Sequence, residues 1–380
     1  MPRSHGPRRS SSSFSSTVTL ATVFEDECLG PEDVEREDEL WFDDGDVVLV
    51  APINVPPEDR PLARSLRAFK VHKKVLIHQS ARWKALFGAA ATQPREHLEG
   101  VDLPVVRFVD GAEDLYHFLQ WIYVIGYLGH FSLAFWIDTD ASGRAESLLR
   151  VANKWDVDAL RSDVVDFLER EWPSALEAWD EREEAIREQI AEGLIESGTD
   201  GPDAAQTITI ASEYNIPSIL PSAYYHLNRV FMDRALLAPS APPSPSKTNS
   251  PTADSALFSI QSVVRFDGTL SPAVLRTLLR GRTALSSFIA QQEREGSVCG
   301  NGPCCCRAVL NTWWGPFAQQ LKVGMRSRDP LAVMHDAAAG LQALYGACGS
   351  CQRKARATLL DRRVAIWERL PQFFAGGLKV

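Results

Sequence analysis

Six of the seven cysteines in this 380-residue chain fall between positions 299 and 351, and they are the residues whose type and spacing could do chemistry. Cys299 is followed, after four residues, by Cys304, Cys305 and Cys306; Cys348-Gly-Ser-Cys351 forms a separate Cys-x-x-Cys pair. Such a pair at a helix start presents two thiolates to one ion, and a second pair from elsewhere completes a tetrahedral Zn2+ site. Three adjacent cysteines cannot all face one metal, so the candidate ligands are Cys299, Cys304, Cys348 and Cys351. Zn2+ is the one cofactor the pattern offers. Binding it would make metal uptake part of folding. The spacing leaves two other readings open: unligated structural thiols, and a redox pair at Cys348 and Cys351, where a helix N-terminus lowers a thiol pKa. A thioredoxin-like site would need a strand ahead of the pair, whereas residues 331–345 carry a helical pattern.

The other reactive residue types form no constellation. There is no Gly-rich phosphate loop, no His-Glu-x-x-His and no nucleophile elbow. His335 beside Asp336 lacks a nucleophile at defined spacing. The abundant carboxylates sit on solvated stretches with nothing to tune them for acid-base work. At net charge −9 the chain has no concentrated basic surface, and nucleic acid is not expected as a direct partner.

The elements that would position these residues are legible by period. Val47 to Val50 and Phe69 to Val71 read as strands, the second placing Phe69 and Val71 on one face. Val75, Leu76, Trp83, Leu86 and Phe87 recur at helical spacing, with Ser80 as the N-cap of the second short helix. Residues 103–108 read as a strand and 110–123 as a helix capped by Asp110. Helices are expected over 144–155, from Val157 onward, over 174–195, 204–214 and 217–236. After a Pro/Ser-rich linker at 237–256 come helical patterns at 272–291, 330–345 and 352–370. The ordered part is expected to begin at Trp41, because residues 25–46 hold twelve acids against the single Arg36 and residues 1–20 are Ser- and Arg-rich. The start of the chain has no secretory h-region. Residues 118–137 carry no formal charge, yet Gln120, His130 and two glycines argue for a buried helix and an apolar loop, not a membrane span. The cysteine usage fits a reducing compartment, cytoplasmic or nuclear.

Several of these features together resemble one family. The run Phe69-Lys-Val-His72-Lys73-Lys-Val-Leu-Ile-His with Ser80-x-x-Trp83-x-x-x-Phe87, Asp46 on the first strand, Phe118-Leu-x-Trp-Ile-Tyr123, and Leu148-Leu-x-Val-Ala-Asn-Lys-Trp-Asp-Val157 with Leu160 look like the BTB/POZ domain. The later string 211–224, the linker, and Cys-x-x-Cys followed by Trp367-x-x-Leu-Pro371 are similar to the longer BTB proteins of mushroom-forming fungi. The resemblance implies an α+β fold: a BTB/POZ mixed sheet flanked by helices over 41–170, an α-helical extension over 171–236, and a mainly α-helical C-terminal region over 257–380. It implies a protein-protein interaction scaffold or adaptor, with other proteins or a second copy as partner, no chemistry and no membrane. In dimeric members an acid on the first strand and a basic residue after the strand-two His line a charged pocket; Asp46, His72 and Lys73 match those positions. A cullin is a further candidate partner, although residues 88–100 offer only Leu98-Glu99 towards the expected signature. Two other classes stand beside the scaffold. One is a thiol-disulfide or metal-dependent enzyme in the Cys-rich region; the other is a transcriptional co-regulator without direct DNA contact.

Overall fold

The computed structural model describes residues 34–53, 65–89, 95–98, 101–124, 141–194, 203–237, 270–295, 305–322 and 329–374. Within these the fold is mixed α/β and mostly helical. One five-stranded sheet has the order β1-β3-β2-β5-β4, from β1 (Val34–Trp41), β2 (Val47–Pro52), β3 (Leu66–Val71), β4 (Arg95–Leu98) and β5 (Val101–Arg107). β2 pairs antiparallel with β3 and parallel with β5, and β1 runs parallel to β3. β2 lies centrally and is buried on both sides, which accounts for its unbroken apolar sequence Val47-Val-Leu-Val-Ala51. The pleat splits it: Val47, Leu49 and Ala51 join Phe69 and Val71 in the main core, while Val48 and Val50 join Leu66, Ala68 and Val105 on the opposite face.

Twelve α-helices complete the described fold. α1 (Lys73–Gln79) and α2 (Ala81–Ala89) form a hairpin after β3, α3 (Ala112–Tyr123) follows β5, and α4 (Ala141–Trp155) and α5 (Asp158–Glu171) form a second hairpin. Ser80 Oγ accepts from the Trp83 main-chain N–H at 3.3 Å, the cap its position indicated. Trp83 is fully buried and stacks on Trp155, with centroids 4.3 Å apart, which locks the first hairpin against the second. The turn into α5 places Asp156 at φ 51°, a left-handed conformation that Asp tolerates better than most residues.

α6 (Leu176–Ala191), α7 (Ala204–Glu213) and α8 (Leu220–Leu237) follow, then α9 (Pro272–Glu295), α10 (Arg307–Lys322), α11 (Pro330–Gly340) and α12 (Gly349–Phe374). A single apolar core runs from the sheet through α6 and α8 into α9–α12. The C-terminal helices are anchored on the extension by polar contacts too. The Trp367 indole N–H donates to Ser174 O (2.7 Å), and the Arg363 guanidinium holds Asp180 through two bonds of 2.9 and 2.6 Å. The extension and the C-terminal helices therefore pack directly on each other. Residues 238–269, which include most of the expected linker, lie outside the described residues.

The start of the ordered chain differs from expectation. Residues 34–40, read from composition as acidic tail, belong to β1. Leu40 is buried in the core, and Glu37 and Glu39 find partners that a charge count cannot see. Arg67 spans Glu37 and Glu113 (3.6 and 3.1 Å), and Glu39 accepts from the Tyr116 hydroxyl and the Gln120 amide (3.2 and 3.1 Å). Residues 95–98, to which the sequence reading assigns no element, form β4, a short edge strand antiparallel to β5. Asp110 is not the cap of α3; Gly111 is, and Asp110 pairs with Lys154. Among the described residues no helix is long and apolar enough to cross a membrane. The apolar stretch 125–137 and residues 1–33 lie outside the described residues.

Candidate functional site

Two places gather reactive side chains. The first lies at one end of the sheet, where β2, β3 and the start of α1 meet. Gly45 is required in the turn before β2, because a Cβ there would lie 2.9 Å from Lys70 Cγ and 3.1 Å from the Lys70 backbone. That turn brings Asp44 and Asp46 to the residues after β3. Asp46 Oδ1 accepts the Lys73 main-chain N–H at 2.7 Å and so caps the first turn of α1 from a neighbouring strand. Within the charged pocket that the resemblance implies, no ion pair joins Asp46 to Lys73 among the described residues: the carboxylate holds the backbone N–H of Lys73 and not its ammonium.

His72 is tied elsewhere. Tyr123 OH accepts the His72 main-chain N–H (3.2 Å) and bonds Nδ1 (3.1 Å), while Nε2 faces Asp44 Oδ1 at 3.1 Å. The network is satisfied with Nδ1 as acceptor and Nε2–H donating to Asp44. The hydrogen bond from His72 holds the Asp44 carboxyl below its ordinary range, and burial raises the Tyr123 phenol. Phe42 closes over the group, 4.6 Å from the Tyr123 ring. This is a self-satisfied knot with the Asp44 carboxylate at the surface. Asp44 and Tyr123 were missed as functional partners because they lie 28 and 51 residues from His72.

The second place lies where the turn entering α10 meets the start of α12. Cys305 Sγ is 3.5 Å from Cys306 Sγ, 3.5 Å from Cys348 Sγ and 3.6 Å from Cys351 Sγ. All four sulfurs lie within 4.8 Å of one another. All four are free thiols, with Cys306 and Cys351 buried and Cys305 and Cys348 exposed. Cys348 sits at the N-cap of α12, its carbonyl accepting from Gln352 N (3.0 Å), and its own N–H donates to Cys306 Sγ (3.1 Å). Hydrogen bonds from the Cys351 main chain and the neighbouring thiols draw the Cys348 thiol down to about 6, while bonds to the three other sulfurs push Cys305 up to about 12. The quartet can hold a soft cation or support thiol exchange.

The composition of the quartet corrects the expected ligand set. Cys348 and Cys351 belong to it, but their companions are Cys305 and Cys306; Cys299 and Cys304 lie outside the described residues. The prohibition on three adjacent cysteines facing one metal does not extend to two. The vicinal pair precedes the first turn of α10, where the backbone is not yet helical and both side chains can reach the same point.

Comparison with known proteins adds no constraint: no family model matches the chain, and no curated protein or solved structure is significantly similar to it.

Proposed function

We propose that the sheet and its flanking helices, residues 34–171, act as a protein-protein interaction module of the BTB/POZ type, and that the chain is a non-enzymatic adaptor. The observation that carries this reading is the convergence of the motif residues. Phe69, Val71, Leu76, Trp83, Phe118, Leu119, Leu148, Leu149 and Leu160 come from separate elements and enter one core. The polar members of the same motifs, His72 and Lys73, stay at the sheet end with Asp44. Strand hairpin, helix hairpin, parallel strand, α3 and second helix hairpin follow one another along the chain, an arrangement that supports the reading. The motifs thus serve to build a scaffold and present a surface. The partner class is another protein or a second copy of this chain, gripped at that sheet end.

The test compares the full chain with an Asp44→Lys, Lys73→Glu variant whose thermal unfolding matches the parent. Solution mass and quantitative capture are measured for both. The expected result is a stoichiometric partner, or self-association, held by the parent and lost by the variant. A chain that stays monomeric, holds no stoichiometric partner and turns over a small-molecule substrate would overturn the reading.

A further inference from the structure

We infer that Cys305, Cys306, Cys348 and Cys351 bind one Zn2+ ion in a closed four-thiolate site that ties the start of α10 to the start of α12. The sulfur geometry is the first support. A tetrahedral Zn2+ with Zn–S of about 2.3 Å sets its sulfurs about 3.8 Å apart. The three sulfur separations from Cys305 are 3.5, 3.5 and 3.6 Å, and no pair in the quartet exceeds 4.8 Å. The three edges that meet at Cys305 match those of such a tetrahedron to within about 0.3 Å, and the other three do not exceed 4.8 Å.

The donor chemistry is the second. The set is all thiol, with no imidazole or carboxylate in the quartet. Soft tetrahedral S4 sites take zinc or iron-sulfur centres. A polynuclear cluster spreads its cysteines around several metal ions, whereas these four crowd a single point, which selects one ion. Four protein ligands leave no open coordination position, so the site is structural and not a Lewis-acid catalyst.

The surroundings are the third. A zinc tetrathiolate carries net negative charge. Here the Cys348 N–H is aimed at Cys306 Sγ (3.1 Å), an outer-shell bond that orients a ligand sulfur. The N-terminus of the long helix α12 adds partial positive charge, and Arg307 and Arg353 follow Cys306 and Cys351 closely along the chain. The connection that leads into the quartet is itself open to solvent. Tyr345, in the connection that precedes Cys348, is 96% exposed, and Gly346 next to it turns with φ 85°.

A thiol-disulfide centre needs only two of these sulfurs, and it would leave the convergence of two pairs 43 residues apart without a purpose. Zinc uptake needs no oxidant: four Zn–S bonds form, the thiols release the protons they still carry, and no atom changes oxidation state.

The experiment uses the full chain, purified without chelator. Elemental analysis should give about one zinc per chain, and cobalt exchange should give the intense visible bands of a tetrahedral tetrathiolate. Cys351→Ser and Cys305→Ser should lower zinc affinity by more than the roughly 10–100-fold that loss of an outer-shell partner produces. The double replacement Cys299→Ser, Cys304→Ser should keep the zinc. Should the ligand variants fail to fold, the parent still decides: a mercurial titration should release zinc in step with the blocking of four thiols. Iron with a visible chromophore, zinc lost with Cys299 and Cys304, or a metal-free chain that cycles a Cys348–Cys351 disulfide would each overturn the assignment. None of these outcomes bears on the sheet-end reading, which is tested by residues far from the quartet.

Discussion

Asp329 offers the sharpest test of how the C-terminal helices are held. Its Oδ1 accepts from the Tyr225 hydroxyl (2.6 Å) and from the Ala332 N–H (2.9 Å), capping α11; its Oδ2 accepts from Arg229 Nη1. Arg229 keeps a second carboxylate, Glu183, through bonds of 2.9 and 3.0 Å. The Asp329 and Arg229 side chains are only 18% and 16% exposed, so their partners are not readily replaced by water. Asp329→Ala removes a helix cap, about 1 kcal/mol. It also strands a buried hydroxyl, about 1 kcal/mol, and one charge-assisted bond, about 2 kcal/mol. Together these reach about 4 kcal/mol, within the 3–5 kcal/mol range for breaking a buried pair from one side. Asp329→Asn retains the cap and an acceptor for Tyr225, and should cost about half as much. Urea unfolding followed by tryptophan fluorescence is the assay, since Trp179 and Trp367 meet 5.4 Å apart in the same interface. A loss below about 1 kcal/mol for the alanine variant, the level of a surface ion pair, would refute the view that this network anchors the helices.

Gly281→Ala should destabilise by about 1–3 kcal/mol despite the better helix propensity of alanine, because the new Cβ would lie 2.1 Å from Phe374 Cδ1, on a ring already stacked against Tyr224; a thermal midpoint equal to or above the parent's would contradict this. Asp46→Ala should lose about 1 kcal/mol through the α1 cap while Lys73→Met leaves stability nearly unchanged, and equal losses from both in chemical unfolding would restore the ion pair that the contact geometry denies. Burial lowers the His117 pKa, so the folded chain binds its proton less readily than the unfolded chain; this contribution is complete above the unfolded value near 6.5 and disappears as pH falls through the depressed one. Stability measured between pH 7 and pH 5 should therefore fall less steeply in His117→Gln than in the parent. Burial alone would raise the Asp329 carboxyl, but the Arg229 charge and the Tyr225 hydroxyl outweigh it and hold the group below its ordinary range. Its contribution persists above the unfolded carboxylate value and is lost only in stronger acid, so the acid unfolding midpoint should move to higher pH in Asp329→Asn.

What the sequence discloses follows from which interactions are local. β2 was legible from its density of β-branched residues, β3 because alternation is a two-residue signal, and the helix hairpins because Val75, Leu76, Trp83 and later Leu148, Leu149 and Ala152 repeat at the helical period. Ser80 was legible as a cap because its bond spans three residues. β1 was not, since its acids become tolerable only through Arg67, Tyr116 and Gln120, residues that lie far away along the chain. The same blindness misdirected Asp46: the resemblance implies that it lies near Lys73, but only the turn at Gly45 decides whether its carboxylate meets the ammonium or the amide. In the cysteine quartet, the helix start at Cys348 was readable from pattern, whereas the choice among Cys299, Cys304, Cys305 and Cys306 depends on how the chain enters α10.

The contacts between the extension and α9–α12 alter what an adaptor built on this chain can do. A flexible tether between two binding regions would set only an effective concentration, fixed by its length. Here Arg363 reaches Asp180 across 183 residues of sequence, Trp367 reaches Ser174 across 193, and Arg229 reaches Asp329 across 100. Closing a loop of that size costs little more than closing one half as long, so a few buried polar anchors set in a shared apolar core are enough to hold the bodies in one orientation. Under the proposed adaptor reading, a partner gripped at the sheet end would be presented at a fixed direction relative to the cysteine corner, because α12 carries both that corner at its first turn and the Arg363 and Trp367 anchors further along. On that reading, fixed geometry would favour partners that match it and reject those that do not, and the docking interface would set specificity through orientation alone.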